Sequence, residues 1–322
     1  MSNEPGSQWR QPWQGRVDTL DGEAGHRWHQ VVQPWHAHAA PGVALLGLAS
    51  DEGVRRNHGR VGAAQGPQAL RRMLANLPVH RPLALYDAGD VPCLDQQLEA
   101  AQREYAARAA RMLDAGQLVL GLGGGHEIAW ASYQALAASR WAPGEGQRLA
   151  IVNFDAHFDI RRDAQSTSGT GFRQALDHAR AQGCDVAYHC LGISVTSNTR
   201  ALFEQAGECG ISWRHDDALT SAALPRHCDE LREWLGGFDH VYLTICLDVL
   251  PASVAPGVSA PAARGVPVDV IEPMVACVAG CGRLRLADIA ELCPPLDIDQ
   301  RTARTAARLA WRIVDAWQEA AA

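Results

Sequence analysis

A surplus of positive charge is the first thing these 322 residues lack: 29 basic side chains stand against 36 acidic ones, a formal charge of −7. A nucleic-acid surface needs the opposite balance, so no nucleic-acid partner is expected. Long apolar runs are missing too. No stretch approaches the ~18 apolar residues of a membrane helix, and no membrane partner is expected. The opening residues are polar and carry no apolar signal region, which predicts a cytoplasmic protein. Paired cysteine spacing is also absent. Of nine cysteines only Cys277 and Cys281 stand close, and no second pair completes a zinc knuckle. They read as reduced, mostly buried thiols. There is no internal repeat, low-complexity tract or linker. With 47% apolar and 20% charged residues, the chain reads as one globular domain.

What is present is alternation. Residues 1–40, rich in Trp, Gln and His, read as an N-terminal arm packed on the body through Trp9, Trp13, Trp28 and Trp35. Residues 41–322 read as a single α/β domain. Strands are predicted at Val43–Ala49, Leu83–Ala88, Gln117–Leu122, Arg148–Phe154, Val186–Ile193, Ile211–Arg214, His240–Leu247 and Leu284–Ala290. Helices are predicted at Gly66–Asn76, Leu94–Asp114, Glu127–Arg140, Gly171–Gln182, Asn198–Ala206, Leu224–Leu235, Pro267–Ala279 and Gln300–Ala321. Strands alternating with helices imply right-handed βαβ units and a mainly parallel sheet covered on both faces. Sites in such sheets lie beyond the carboxyl ends of the strands.

Three strand ends carry unusual residues. Gly123-Gly124-Gly125-His126 turns tightly and places His126 at a helix start. Asp155, His157 and Asp159 alternate with apolar residues, so an extended backbone would point all three to one side. Cys246 and Asp248 share a face in the same way. Neutral imidazole and carboxylate suit divalent manganese. Six ligands exceed what one metal takes from protein while keeping a water, and they fit two metals bridged by a carboxylate and a hydroxide.

The three stretches Gly-Gly-Gly-His126, Asp155-Ala-His157-Phe-Asp159 and Cys246-Leu-Asp248 resemble the metal motifs of the arginase/agmatinase/formimidoylglutamase (ureohydrolase) family. The resemblance runs from about Leu45 to the terminal helix. Trp13-Gln-Gly-Arg-Val-Asp18, Ser50-Asp-Glu-Gly-Val-Arg-Arg-Asn57-His-Gly59-Arg60 and Ala255-Pro-Gly-Val-Ser-Ala-Pro261 are most similar to its formimidoylglutamase branch. That branch hydrolyses N-formimidoyl-L-glutamate to L-glutamate and formamide in histidine breakdown. The resemblance implies a three-layer αβα fold, two Mn²⁺ per subunit and a homo-oligomer. It places His126, Asp155 and Asp159 on one metal, Asp155, His157 and Asp248 on the other, and Asp155 and Cys246 between them. Position 246 is usually Asp in the family. A thiolate is a softer donor than manganese prefers. Where arginases carry a His, this chain has Phe172.

The same resemblance implies that Asp159 orients a metal-bound hydroxide attacking the amidine carbon and then carries its proton to the leaving nitrogen. It implies that Glu291 holds the cationic nitrogens. A small-molecule substrate with two carboxylates fits the basic loop of Arg161, Arg162, Ser168 and Arg173, since guanidinium groups favour carboxylates. Asn198 is a further candidate for polar contact. Another ureohydrolase, such as a guanidino-acid hydrolase, agmatinase or arginase, is the nearest alternative. A catalytically silent binding protein, on account of Cys246, is the other.

Overall fold

The computed structural model describes residues 8–321. The polar start of the chain lies partly outside them. Nine strands form one sheet: β1 Gln33–Pro34, β2 Val43–Ala49, β3 Leu85–Pro92, β4 Leu118–Gly123, β5 Arg148–Phe154, β6 Asp185–Ile193, β7 Ser212–His215, β8 His240–Cys246 and β9 Leu284–Ala290. Their order is β1-β3-β2-β4-β9-β8-β5-β6-β7, and every pairing is parallel. The helices are α1 Trp28–Val31, α2 Glu52–Arg56, α3 Gly66–Leu74, α4 Leu98–Asp114, α5 Ile128–Ala137, α6 Gly171–Gln182, α7 Arg200–Glu208, α8 Leu224–Leu235, α9 Val268–Ala279 and α10 Arg301–Ala321.

The central strands are mostly apolar because both their faces are covered, with a few buried polar residues such as Asn153, Thr244 and Asp288 among them. In β5, Ala150, Val152 and Phe154 join one core, and Leu149 and Ile151 the other. The first core packs under α3, α8, α9 and α10, the second under α4, α5, α6 and α7. The result is a three-layer αβα sandwich. Trp13 and Trp28 are buried in the first core, Trp9 packs against it, and Trp35 packs against the second. The Trp13 indole N–H donates to Asp87 Oδ2 at 2.6 Å, beside the buried Arg71–Asp87 ion pair.

Five elements have the predicted bounds: β2, β5, β9, α6 and α8. Others differ for visible reasons. The predicted strand Leu83–Ala88 runs instead from Leu85 to Pro92, because Arg71 and Trp13 satisfy Asp87 inside it. The helix predicted from Leu94 starts at Leu98, since Asp95 and Gln96 adopt left-handed backbone, φ 49° and 59°. Strand β8 stops at Cys246, and Leu247–Val249 turns away as a single 3₁₀ turn. The short elements α1, β1 and α2 have no periodicity to announce them.

Candidate metal centre and active site

In sheet order, β4, β9, β8 and β5 are neighbours. Each delivers its following residues to the same place, although their chain positions span residues 118 to 290. After β4 the backbone passes close under Ser50. A Cβ on Gly124 would stand 1.7 Å from the Ser50 carbonyl oxygen, and one on Gly125 would stand 2.1 Å from Glu127 Oε2. Only glycine fits there, and the turn sets His126 facing inward.

The residues after β5 converge for a different reason than strand alternation. The strand ends at Phe154, and Asp155 to Asp159 form a loop. The loop is held by its own polar groups. The His157 backbone N–H donates to Asp155 Oδ1 at 2.7 Å. Asn198 braces it by donating to the Ala156 carbonyl and accepting from the Phe158 N–H. Asp159 takes φ 48°, a conformation rare outside glycine that turns its carboxylate back toward His126.

Two groups of ligand atoms result. His126, Asp155 and Cys246 form one, and Asp155, His157 and Asp248 the other, with all donor atoms in each group within 4.8 Å of one another. His126 Nδ1 lies 3.0 Å from Asp155 Oδ2 and 2.9 Å from Asp159 Oδ2. His157 Nδ1 lies 3.5 Å from Asp155 Oδ1 and 3.1 Å from Asp248 Oδ2. Asp155 thus turns one oxygen to each group. His126 Nδ1 is buried with no hydrogen bond among the described residues, despite two carboxylates at 3 Å. That is the geometry of donors aimed at a shared cation. Two imidazoles and three carboxylates are suitable donors for a hard divalent ion; the Cys246 sulfur is the soft exception.

The electrostatics agree. Burial opposes charge on His126, but Asp155 and Asp159 outweigh it and hold its pKa well above the ordinary value. Burial, then Asp155 and Asp248, push the Cys246 thiol well up. A cation reverses such a shift and deprotonates the thiol. Glu291 follows β9 with φ 70°. Its Oε1 accepts the His126 N–H at 2.9 Å, and its Oε2 is buried without a partner among the described residues. Burial, then neighbouring Glu127 and Asp248, raise its pKa to about 8.

These groups open onto a cavity of about 350 Å³. Arg161, Ser168 and Asn198 line it, together with Asn57, His58, Arg60, Ser197 and Ser259. Arg161 has no acidic partner among the described residues, whereas Arg162 pairs with Glu208 and Arg173 with Asp177, both outside the cavity. Asn57 donates to Ser168 Oγ, and Arg60 to the Val258 and Ser259 carbonyls. The stretch Asn57-His-Gly59-Arg60 carried the signal for these residues, but nothing in its spacing says that it reaches the metal ligands. A larger cavity of about 830 Å³, beside Cys228, Cys277 and Cys281, has no convergent ligand group among the described residues.

Comparison with known proteins gives the family and the fold. The chain is 54% identical over 309 residues to a formimidoylglutamase of Ralstonia nicotianae, covering 94% of each chain. It is 52% identical to that of Aeromonas hydrophila, covering 94% of this chain and 96% of the relative. Two solved structures share the fold. The formimidoylglutamase of Bacillus subtilis superposes with TM-score 0.80 at 23% identity, covering 90% of this chain and 91% of its own. The Trypanosoma cruzi formiminoglutamase with Mn²⁺ gives 0.78 at 24% identity, covering 91% and 98%. A profile of the arginase family matches residues 41–315, and the chain belongs to that family.

Proposed function

We propose that this chain hydrolyses N-formimidoyl-L-glutamate to L-glutamate and formamide at a pair of Mn²⁺ ions held by His126, Asp155, His157, Asp159, Cys246 and Asp248. The observation that carries the reading is the sharing of Asp155 between two ligand groups, with the buried His126 Nδ1 left without a hydrogen-bond partner among the described residues. When bound, two such ions lower the pKa of water from 15.7 toward neutrality and so supply a nucleophile for an otherwise inert amidine.

The chain's own residues do the rest. The unpartnered Glu291 Oε2 accepts from the cationic nitrogens of the amidine, and its left-handed backbone turns it to face them. Positive charge beside it favours its ionised form. Asp159, partly open to the cavity, carries a proton to the departing nitrogen, which must leave as an amine. Arg161 offers its guanidinium to a substrate carboxylate, with Ser168 beside it. Asn198 spends its amide on the Asp155–Asp159 loop and acts on the substrate only through that loop.

Manganese-loaded protein assayed with formimidoylglutamate, arginine and agmatine side by side tests the reading. Formamide from the first and no urea from the others is the expected result. Urea release would point to a guanidino substrate. No turnover of any of the three would overturn the assignment.

A further inference from the structure

Asn153 is the penultimate residue of β5, and its side chain is wholly buried. A primary amide between a sheet and a helix layer is costly unless its polar atoms are used. Here the Nδ2 nitrogen makes two close bonds, with the Cys190 Sγ a long third contact at 3.8 Å, while Oδ1 is buried without a partner among the described residues. The nitrogen donates to Asp155 Oδ2 at 3.0 Å and to the Tyr188 hydroxyl at 2.9 Å. Tyr188 in turn donates its own proton to the Phe158 carbonyl at 3.1 Å, so toward Asn153 it can only accept. An ionised Asp155 can only accept as well. Two acceptors thus flank one nitrogen, and a primary amide supplies two diverging protons from one atom. An aspartate there would set oxygen against oxygen, and an imidazole has one proton per nitrogen.

Tyr188 is fixed independently. Its ring stacks on Phe172 of α6 at 4.4 Å and an interplanar angle of 20°, and Phe172 meets the His126 ring edge-on at 5.3 Å. Resting on the proposed metal site, we infer that Asn153 and Tyr188, with Phe172 as their platform, are positioning residues that fix the carboxylate plane of Asp155. That plane decides which oxygen faces His126 and which faces His157.

The test is manganese binding by the full-length protein, followed by calorimetry and by the paramagnetic resonance signal of the coupled ion pair. Asn153→Leu keeps the shape and removes both protons. It is expected to weaken manganese binding roughly 10–100-fold and to alter the coupled signal. Tyr188→Phe keeps the stack on Phe172 and is expected to act in the same direction, about threefold to tenfold. The double variant should lose less than the product of the two single effects, because the Asn153–Tyr188 bond is removed by either substitution, while the Tyr188 bond to the Phe158 carbonyl is removed by Tyr188→Phe alone. Wild-type affinity and an unchanged signal in the single variants, or effects that multiply in the double, would overturn the inference. If Asn153→Leu fails to fold, Tyr188→Phe decides by the same readouts. A wild-type protein that binds no manganese pair would instead overturn the proposed function and this inference with it.

Discussion

The two ligand groups sharing Asp155 are built differently. The His126 group is the deeper: His126 is 1% exposed, Asp155 is fully buried, and the third donor is a thiol. The His157 group faces the cavity, with the His157 side chain 24% exposed and an oxygen donor, Asp248, opposite. Depth and donor softness therefore run together. The deeper group is braced by Glu291 on the His126 N–H and by the Thr244 hydroxyl 3.0 Å from Nε2. The open group is held through its loop backbone, by Asn198 and the Cys190 thiol. The lesson is that one carboxylate joins a rigid half to an accessible half, and the two halves should answer differently to substitution.

The largest effect is expected where the comparison collapses. Asp155→Asn removes the shared donor, and turnover should fall on the order of 10³-fold or more, with both ions lost in a metal assay. Next, Glu291→Gln should lower kcat/KM by roughly 10–100-fold with the metal content unchanged, as expected for losing one charge-assisted hydrogen bond. Arg161→Met should raise KM about tenfold or more, while Arg162→Met and Arg173→Met stay within about twofold, since both already pair outside the cavity. Cys246→Asp sharpens the contrast in the deeper half. It should favour Mn²⁺ over Zn²⁺ there by about tenfold relative to wild type in a competitive titration, because oxygen is the harder donor.

The smallest effect lies away from both halves. Burial, and then nearby Arg214, depress the pKa of His189 to about 4. The folded protein therefore resists protonating it. That stability is fully present above the ordinary value of 6.5 and is lost as pH falls from 6.5 toward 4. His189→Gln should flatten the decline of the melting temperature across that window and leave both metal groups untouched.

Much of this was legible in the residues, because the signals were local. The strand Arg148–Phe154 and the three metal-motif stretches could be read directly, and parallel topology implied that strand ends would meet. The reason given for the convergence of Asp155, His157 and Asp159 was wrong: a loop closed by Asn198 and by left-handed Asp159 does it, and neither has a periodic signature. The displaced β3 came from a buried ion pair between distant residues, Arg71 and Asp87, which no window of sequence displays. Arg161, Arg162 and Arg173 look equivalent on paper. Only folded neighbours reveal that two of them are already neutralised.

The sheet order has a last consequence. β9, the final strand to be synthesised, sits between β4 and β8, and β8 sits between β9 and β5. On the ribosome His126 and Asp155 emerge early, yet the strands that separate and align them arrive more than 80 residues later. A nascent chain that ends before β8 lacks Cys246 and Asp248, one donor of each ligand group, so neither group is complete until that strand and the turn after it have been made.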